Sequence, residues 1–392
     1  MFSLDQFYNI LHNNLIAPVF GKSAYFYPFG TYEQIDILDN TKTKSRFTIN
    51  CIFADQEPYY DTVVPILLST IKQVSKLSSI GNITLLANSE QSDFKNSIIQ
   101  NQKMYNWYYF YHGFAALDWY KDFRYVTQDS FNQFDKVFIC LNHLTTKYRA
   151  HRLHLVSNLI KENLIEKGVV SLFHHGWQEV ISDSDCPLDS CARVEIYRAL
   201  QTLDAPLIAD TDSPSGTMSA TVDLKQLNCA LWHIVTETVY FQPKLHLTEK
   251  IFKPIVSQKP FILVGAPGNL AYLKSYGFQT FDRWIDESYD QEQDHYIRIE
   301  KITTEIVRLC AMSHVQLTTM HEEMKSILLY NYQHFYTTFK DRLVDELVDN
   351  FSQVLQEVEQ TRNRNLLPTS PLYNSVGLPL DYLQEVKKRL KQ

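Results

Sequence analysis

This 392-residue chain contains no run of about 18 apolar residues, so no membrane-spanning helix is expected. The amino terminus, MFSLDQFYNILHNN, lacks a basic stretch followed by an apolar core, and a signal peptide is not expected either. Cysteines are few: Cys51, Cys140, Cys186, Cys191, Cys229 and Cys310. Only Cys186 and Cys191 are close in sequence, and no Cys-x-x-Cys pair or Cys/His ladder with zinc spacing occurs. Mostly buried free thiols in a reducing compartment are therefore expected. Excess positive charge is also missing. The net charge is −7, which argues against a nucleic-acid coat or a membrane-surface protein, and a polyanionic partner would need a local basic patch. Neither an internal repeat nor a low-complexity segment interrupts the chain. These absences together point to a soluble protein of the cytoplasm, whether cellular or virus-encoded.

What the chain does have is length, aromatics and alternation. Its length exceeds that at which a single core keeps growing, so two domains are expected. Aromatic residues reach 13%, with 24 Tyr and 23 Phe. RFTINCIFADQEP reads as a strand that ends in Asp55 and Glu57. A helical pattern (TVVPILLSTIKQVSKL), the strand ITLLANSE and the aromatic element WYYFYHGFAALDWYKDF follow. Near Phe134 the alternation begins afresh. KVFICLNH is a strand, and TTKYRAHRLHLVSNLIKENLIEKG is an amphipathic helix closed by Gly168 as its C′ residue. VVSLFH, CALWHIVTETVYF and PFILVG continue as strands, with EKIFKPIVSQ and NLAYLKSYG as helices. Helical periodicity dominates from Asp294 to Leu355. The expected fold is α/β, with two Rossmann-like domains facing a cleft and a helical C-terminal segment. The expected boundaries are 1–134, 135–330 and 331–392, the last packing back toward the first.

Ligands of open α/β sheets sit outside the carboxyl ends of the strands, so the residues there carry the most information. Thr248 suits a helix N-cap, with Glu249 and Lys250 in the first turn. Such a terminus attracts a diphosphate; Lys250 would add a full charge, and Glu249 would accept from ribose hydroxyls. The plainer reading makes Glu249 a favourable first-turn acid and Lys250 a solvated side chain. Pro254 is expected to kink that helix. GAPG, beginning at Gly265, is a tight turn but neither a P-loop nor G-x-G-x-x-G.

Lys147, Arg149 and Arg152 follow the strand KVFICLNH, and the two arginines, three apart, would share a helix face. Such a cluster suits a phosphate clamp or, alternatively, a solvated face. Glu237 closes an apolar strand, where a carboxylate needs solvent or hydrogen bonds. Asp55, Glu57 and His112 are the general-base candidates of the first domain, set against turn formation for Asp55 and a core hydrogen bond for His112. No metal site is expected: the histidines lack ligand spacing, and FDRWIDESYD lacks the spacing of a calcium loop and reads as a solvated, capped loop. Asp210 and Asp212 in LIADTDS read as loop chemistry.

TEKIFKPI followed by PFILVGAPG resembles the C-terminal nucleotide-binding domain of GT-B glycosyltransferases, such as the α1,3-fucosyltransferases. The resemblance is closer still to phage and bacterial proteins of this kind that combine an Asp-Gln-Glu-Pro segment with a Thr-Glu-Lys helix. The resemblance covers roughly residues 135–290. It implies that Glu249 holds the ribose and Lys250 the diphosphate, and that Arg149 or Arg152 matches the family's arginine after the first strand of this domain. Glu237 stands where the family has Phe-Glu-Asn-Ser, but only the Glu carries over. The function so implied is metal-independent sugar transfer from a nucleotide-diphospho-sugar to an acceptor hydroxyl, with no cofactor. The donor-binding residues would be Lys147, Arg149, Arg152, Glu237, Thr248, Glu249, Lys250 and Gly265, and the base Glu57, then Asp55, then His112. Alternatives are a phage-type transferase acting on a hydroxymethylated DNA base, and a non-catalytic nucleotide- or sugar-binding module. The acceptor would be a glycan, a small molecule or modified DNA.

Overall fold

The computed structural model describes residues 3–11, 14–15, 49–53, 83–88, 104–125, 134–172, 176–203, 207, 223–365 and 380–391. Asp55, Glu57, Asp210 and Asp212 lie outside the described residues. In chain order the first elements are α1 (Leu4–Leu11), β1 (Ile49–Phe53), β2 (Ile83–Asn88), β3 (Met104–Tyr108) and α2 (Tyr111–Trp119). β4 (Lys136–Asn142), α3 (His151–Lys161), β5 (Gly168–Leu172), α4 (Trp177–Ser182), α5 (Ser190–Leu200), α6 (Leu224–Asn228) and β6 (Ala230–Thr236) follow. Then come α7 (Phe252–Val256), β7 (Phe261–Val264), α8 (Asn269–Ser275), α9 (His295–Ala311), α10 (His314–Thr337), α11 (Phe339–Asn365) and α12 (Leu380–Lys391). The fold is mixed α/β and mostly helical. Two compact units make it up, Met1–Asp118 with Lys340–Gln392, and Trp119–Phe339.

The first unit holds a parallel sheet in the order β1-β2-β3. The aromatic run expected as one element is two, because β3 stops at Tyr108 and α2 begins at Tyr111. α2 is buried from Tyr111 through Leu117, so it has no polar face to show a helical period. Trp107 donates its indole N–H to the Leu347 carbonyl of α11 at 3.0 Å, and its ring lies 4.8 Å from Phe351.

The second unit is built on a parallel sheet in the order β5-β4-β6-β7. Every residue of β6 (ALWHIVT) is buried, as befits an inner strand covered on both faces. Around the sheet the helices start where polar caps stand. Asp294 accepts from the amides of Tyr296 and Ile297 at the start of α9, and Ser313 with Gln316 forms a capping box on α10. α9 buries Ile299, Ile302, Ile306 and Leu309, three or four apart, and packs on α3 and β7.

Two glycine and proline expectations change. α3 ends earlier than expected, at Lys161, with Asn163 in the left-handed region (φ 57°). The Leu164 N–H returns to the Leu159 carbonyl at 2.8 Å and that of Asn163 to Ile160 at 3.0 Å, a Schellman ending. Gly168 instead opens β5 in extended conformation, and its lack of a side chain serves packing. A Cβ there would lie 2.4 Å from the Phe138 ring. Pro254 is the third residue of α7, inside the first turn, where an N–H has no partner within that helix. Its ring is accommodated by a short 3-10 turn, Glu249–Ile251, that leads into α7, not by a kink in a longer helix.

Candidate functional site

From β4 the chain goes to β5 on one side and later returns to β6 on the other, so the strand order reverses between β4 and β6. A crevice outside the carboxyl ends of such a pair is the usual ligand position of an open parallel sheet. The ends are tied together first by polar residues. The Thr236 hydroxyl of β6 donates to Asn142 Oδ1 of β4 at 2.8 Å, and Asn142 Nδ2 donates to the Ser171 carbonyl of β5 at 3.2 Å.

Glu237 is the next residue after β6 and is fully buried. Its requirement for hydrogen bonds is met by Thr248, not by solvent. The Thr248 amide lies 3.2 and 3.3 Å from the two carboxylate oxygens, and the Thr248 hydroxyl donates to Oε2 at 2.5 Å. With its proton so committed, the same hydroxyl accepts from the Lys250 amide at 3.4 Å and from Lys250 Nζ at 3.2 Å. Lys250 Nζ also pairs with Glu249 Oε1 at 3.1 Å. The Lys250 side chain is 31% exposed and that of Glu249 only 5%, so Lys250 is the charge of the pair that a ligand can reach. Thr248 is thus the expected N-cap, but of a 3-10 turn.

The electrostatics follow from burial. Burial pushes the Glu237 carboxyl up, while the Lys250 charge and the Thr248 donors pull the other way. Tyr120 donates its hydroxyl to the Glu249 carbonyl at 3.3 Å. Burial first, and then the charges of Glu249 and Glu237, hold the Tyr120 phenol well above its ordinary value. His151, fully buried, is pushed well below the ordinary imidazole value, by burial first and then by Arg152. Its ring is neutral, and the 3.1 Å contact of Nε2 with the Glu237 carbonyl assigns the N–H to Nε2. Nδ1 has no partner among the described residues. The ring stacks on Tyr240 at 4.6 Å, and the Arg298 guanidinium lies over the same Tyr240 ring at 4.2 Å.

The structure brings Arg152, Glu237, Thr248, Glu249 and Lys250 into one bonded cluster, with two qualifications about the arginines. Arg149 ends a 3-10 turn, Lys147–Arg149, and is not on the helix that carries Arg152, so the two do not share a helix face. Arg152 is 3% exposed, and its terminal nitrogens are directed at the carbonyls of Leu144, Thr236 and Glu237. Gly265 borders Glu237: a Cβ there would sit at an ordinary 3.7 Å from Glu237 Cβ, so space does not demand glycine. Gly268 is the constrained residue of that turn, at φ 81°. His112 is buried in α2 of the first unit, edge-on to Tyr111 at 5.2 Å.

The loop expected to be solvated and capped is so at Asp282 and Asp286, which are exposed, with Asp286 accepting from the Ser288 amide. Glu287 and Asp290 instead turn inward as a brace. Asp290 is buried and accepts from the amides of Leu270 and Ala271 at 2.8 and 3.0 Å, capping α8. Glu287 accepts from the Phe281 amide and the Thr280 hydroxyl, both at 2.7 Å. Three neighbours of the cluster were not singled out from the sequence: Tyr120, His151 and Asn142. Asn142 had a signal, as the polar residue at which the apolar run of β4 stops. Tyr120 had none, since it lies more than a hundred residues from its partner. No group of three or more His, Cys, Asp or Glu among the described residues could hold a metal ion. No family model, curated protein or solved structure was found to match the chain.

Proposed function

We propose that the protein is a glycosyltransferase that takes a nucleotide-diphospho-sugar as donor and needs no metal ion. The observation that carries this reading is Lys250, a partly exposed ammonium held by Thr248 and Glu249 at the carboxyl edge of the sheet, beside the β4/β6 reversal. A diphosphate arriving there replaces Glu249 as the partner of Lys250, and Glu249 is released to accept from ribose hydroxyls. A diphosphate carries more negative charge than Lys250 alone can match, so the phosphates call for a further cation. Arg149, half-buried after β4, is the candidate.

The two-domain GT-B arrangement belongs to the same proposal, with residues 1–134 binding the acceptor. In direct displacement the acceptor hydroxyl loses its proton as it attacks, and a carboxylate within hydrogen-bond reach accepts it. Glu57 is the first choice for that base, and Asp55 the second. The test is a thermal-shift panel of nucleoside diphosphates and nucleotide sugars in EDTA, with hydrolysis or transfer followed for each binder. A ligand at 100 Kd stabilises by about 2.7 kcal/mol. Binding that appears only with added manganese contradicts the metal-independent reading.

A further inference from the structure

Arg152 is the arginine that the sequence offered as a phosphate clamp, but its surroundings fit another task. One terminal nitrogen donates to the Leu144 carbonyl at 2.8 Å, in the loop after β4. The other donates to the Thr236 and Glu237 carbonyls at 3.0 and 3.3 Å, at the exit of β6. The guanidinium therefore spans the two segments that part at the strand-order reversal. A fork so engaged, on a residue 3% exposed, is poorly placed to meet a solvated diphosphate. The preceding residue repeats the pattern, since His151 donates to the Glu237 carbonyl as well.

We infer that Arg152 is a positioning residue: it fixes the Thr236–Glu237 backbone and, through the Glu237 carboxylate and Thr248, sets where Lys250 Nζ stands. Each link is a hydrogen bond already given. Arg152 holds the Glu237 carbonyl, the Glu237 carboxylate takes the Thr248 amide and hydroxyl, and the Thr248 hydroxyl takes Lys250 Nζ. Small displacements at the head of such a chain matter, because a misplacement of about 1 Å in a reacting group can cost on the order of 10²-fold. His151 strengthens the same joint. Stacked on Tyr240, it holds the Glu237–Tyr240 segment at its first residue and at its last. The phosphate contact then falls to Lys250 with Arg149. Only the identity of the ligand that Lys250 meets rests on the glycosyltransferase reading; the positioning chain does not.

The test uses the full chain and the variants Arg152→Met, Arg152→Lys, Lys250→Ala and Arg152→Met with Lys250→Ala. Amide hydrogen exchange without ligand comes first. Arg152→Met is expected to speed exchange at the Thr248 amide by about ten-fold or more, the loss of roughly one hydrogen bond, while β7 keeps its protection. Arg152→Lys, which retains a donor, is expected to lie between. Unchanged protection at Thr248, or an equal loss throughout the unit, overturns the inference. If Arg152→Met does not fold, the Arg152→Lys comparison decides in the same way.

The second readout is nucleoside-diphosphate affinity. Arg152→Met is expected to weaken it about ten-fold in the wild-type background and little further once Lys250 is alanine, because the two residues act through one chain. Additive losses mean that Arg152 touches the phosphates directly, and the inference fails. If the wild-type protein binds no nucleoside diphosphate, the donor reading fails, and the exchange result still decides the positioning role.

Discussion

At Lys250 a charged side chain 31% exposed is balanced between Thr248, at 3.2 Å, and Glu249, at 3.1 Å. Because Glu249 is buried, removing Lys250 takes an ammonium from a buried carboxylate and is expected to lower stability as well, so binding is compared on the folded variant. Lys250→Ala is expected to weaken nucleoside-diphosphate binding about ten-fold or more, the worth of a charge-assisted hydrogen bond of about 1.5–3 kcal/mol, and to leave nucleoside binding unchanged. Calorimetric titration with both ligands checks this. Glu237 makes the complementary prediction. Burial raises its folded carboxyl above the ordinary value of 4.5, so the native state holds that proton more readily than the unfolded chain does. The stability it contributes is present below that value and is lost as pH rises through the folded one. Melting temperature against pH is therefore expected to fall in the wild type relative to Glu237→Gln over that window; parallel curves contradict it. Lys250, Glu249 and Thr248 were legible from three adjacent letters, because capping chemistry is local. Their neighbour Tyr120 was not, because its contact with Glu249 is made across 129 positions.

Elements are where reading the sequence succeeded most often and where its errors have physical causes. Parallel strands with continuous apolar runs, such as FILV of β7 and ALWHIVT of β6, declare themselves by composition, and α9 by its period. Gly168 misled because helix endings and tight packing both select glycine. Its place opposite Phe138 exists only once β4 and β5 pair. Gly168→Ala is expected to destabilise by about 1–3 kcal/mol, the usual cost of overpacking, since the Phe138 ring must move. Asp290 was legible as an acid of a capped loop, but its burial and the helix it caps, α8, were not. Asp290→Ala is expected to lower stability by about 0.5–2 kcal/mol, as for other lost helix caps, with α8 amides exchanging faster. Chemical denaturation of each variant checks the magnitudes.

For the molecule as a whole, histidines held neutral in the fold are expected to contribute to the response to acid. Burial lowers His233 to about 3, and His154 and His321 to about 4, from an ordinary value of 6.5. A histidine kept neutral in the fold contributes stability that is present above its unfolded value and is lost as pH falls through the folded one. Melting temperature is therefore expected to decline from about pH 6.5 downward, before most carboxylates titrate, and His233→Gln is expected to flatten that decline. The mixed α/β class and the parallel sheet were legible from strand–helix alternation. The reversal between β4 and β6 was not, because no local pattern encodes which side of β4 receives a later strand. That reversal gathers Arg152, Glu237 and Lys250, and the central claim is that they serve a nucleotide diphosphate. Its most direct test is calorimetric titration of the wild-type protein and Lys250→Ala, in EDTA, with a set of nucleoside diphosphates and their parent nucleosides. The account predicts that at least one diphosphate binds the wild type, and that Lys250→Ala weakens that diphosphate selectively. Failure of every diphosphate to bind, or an equal loss for diphosphate and nucleoside, contradicts it.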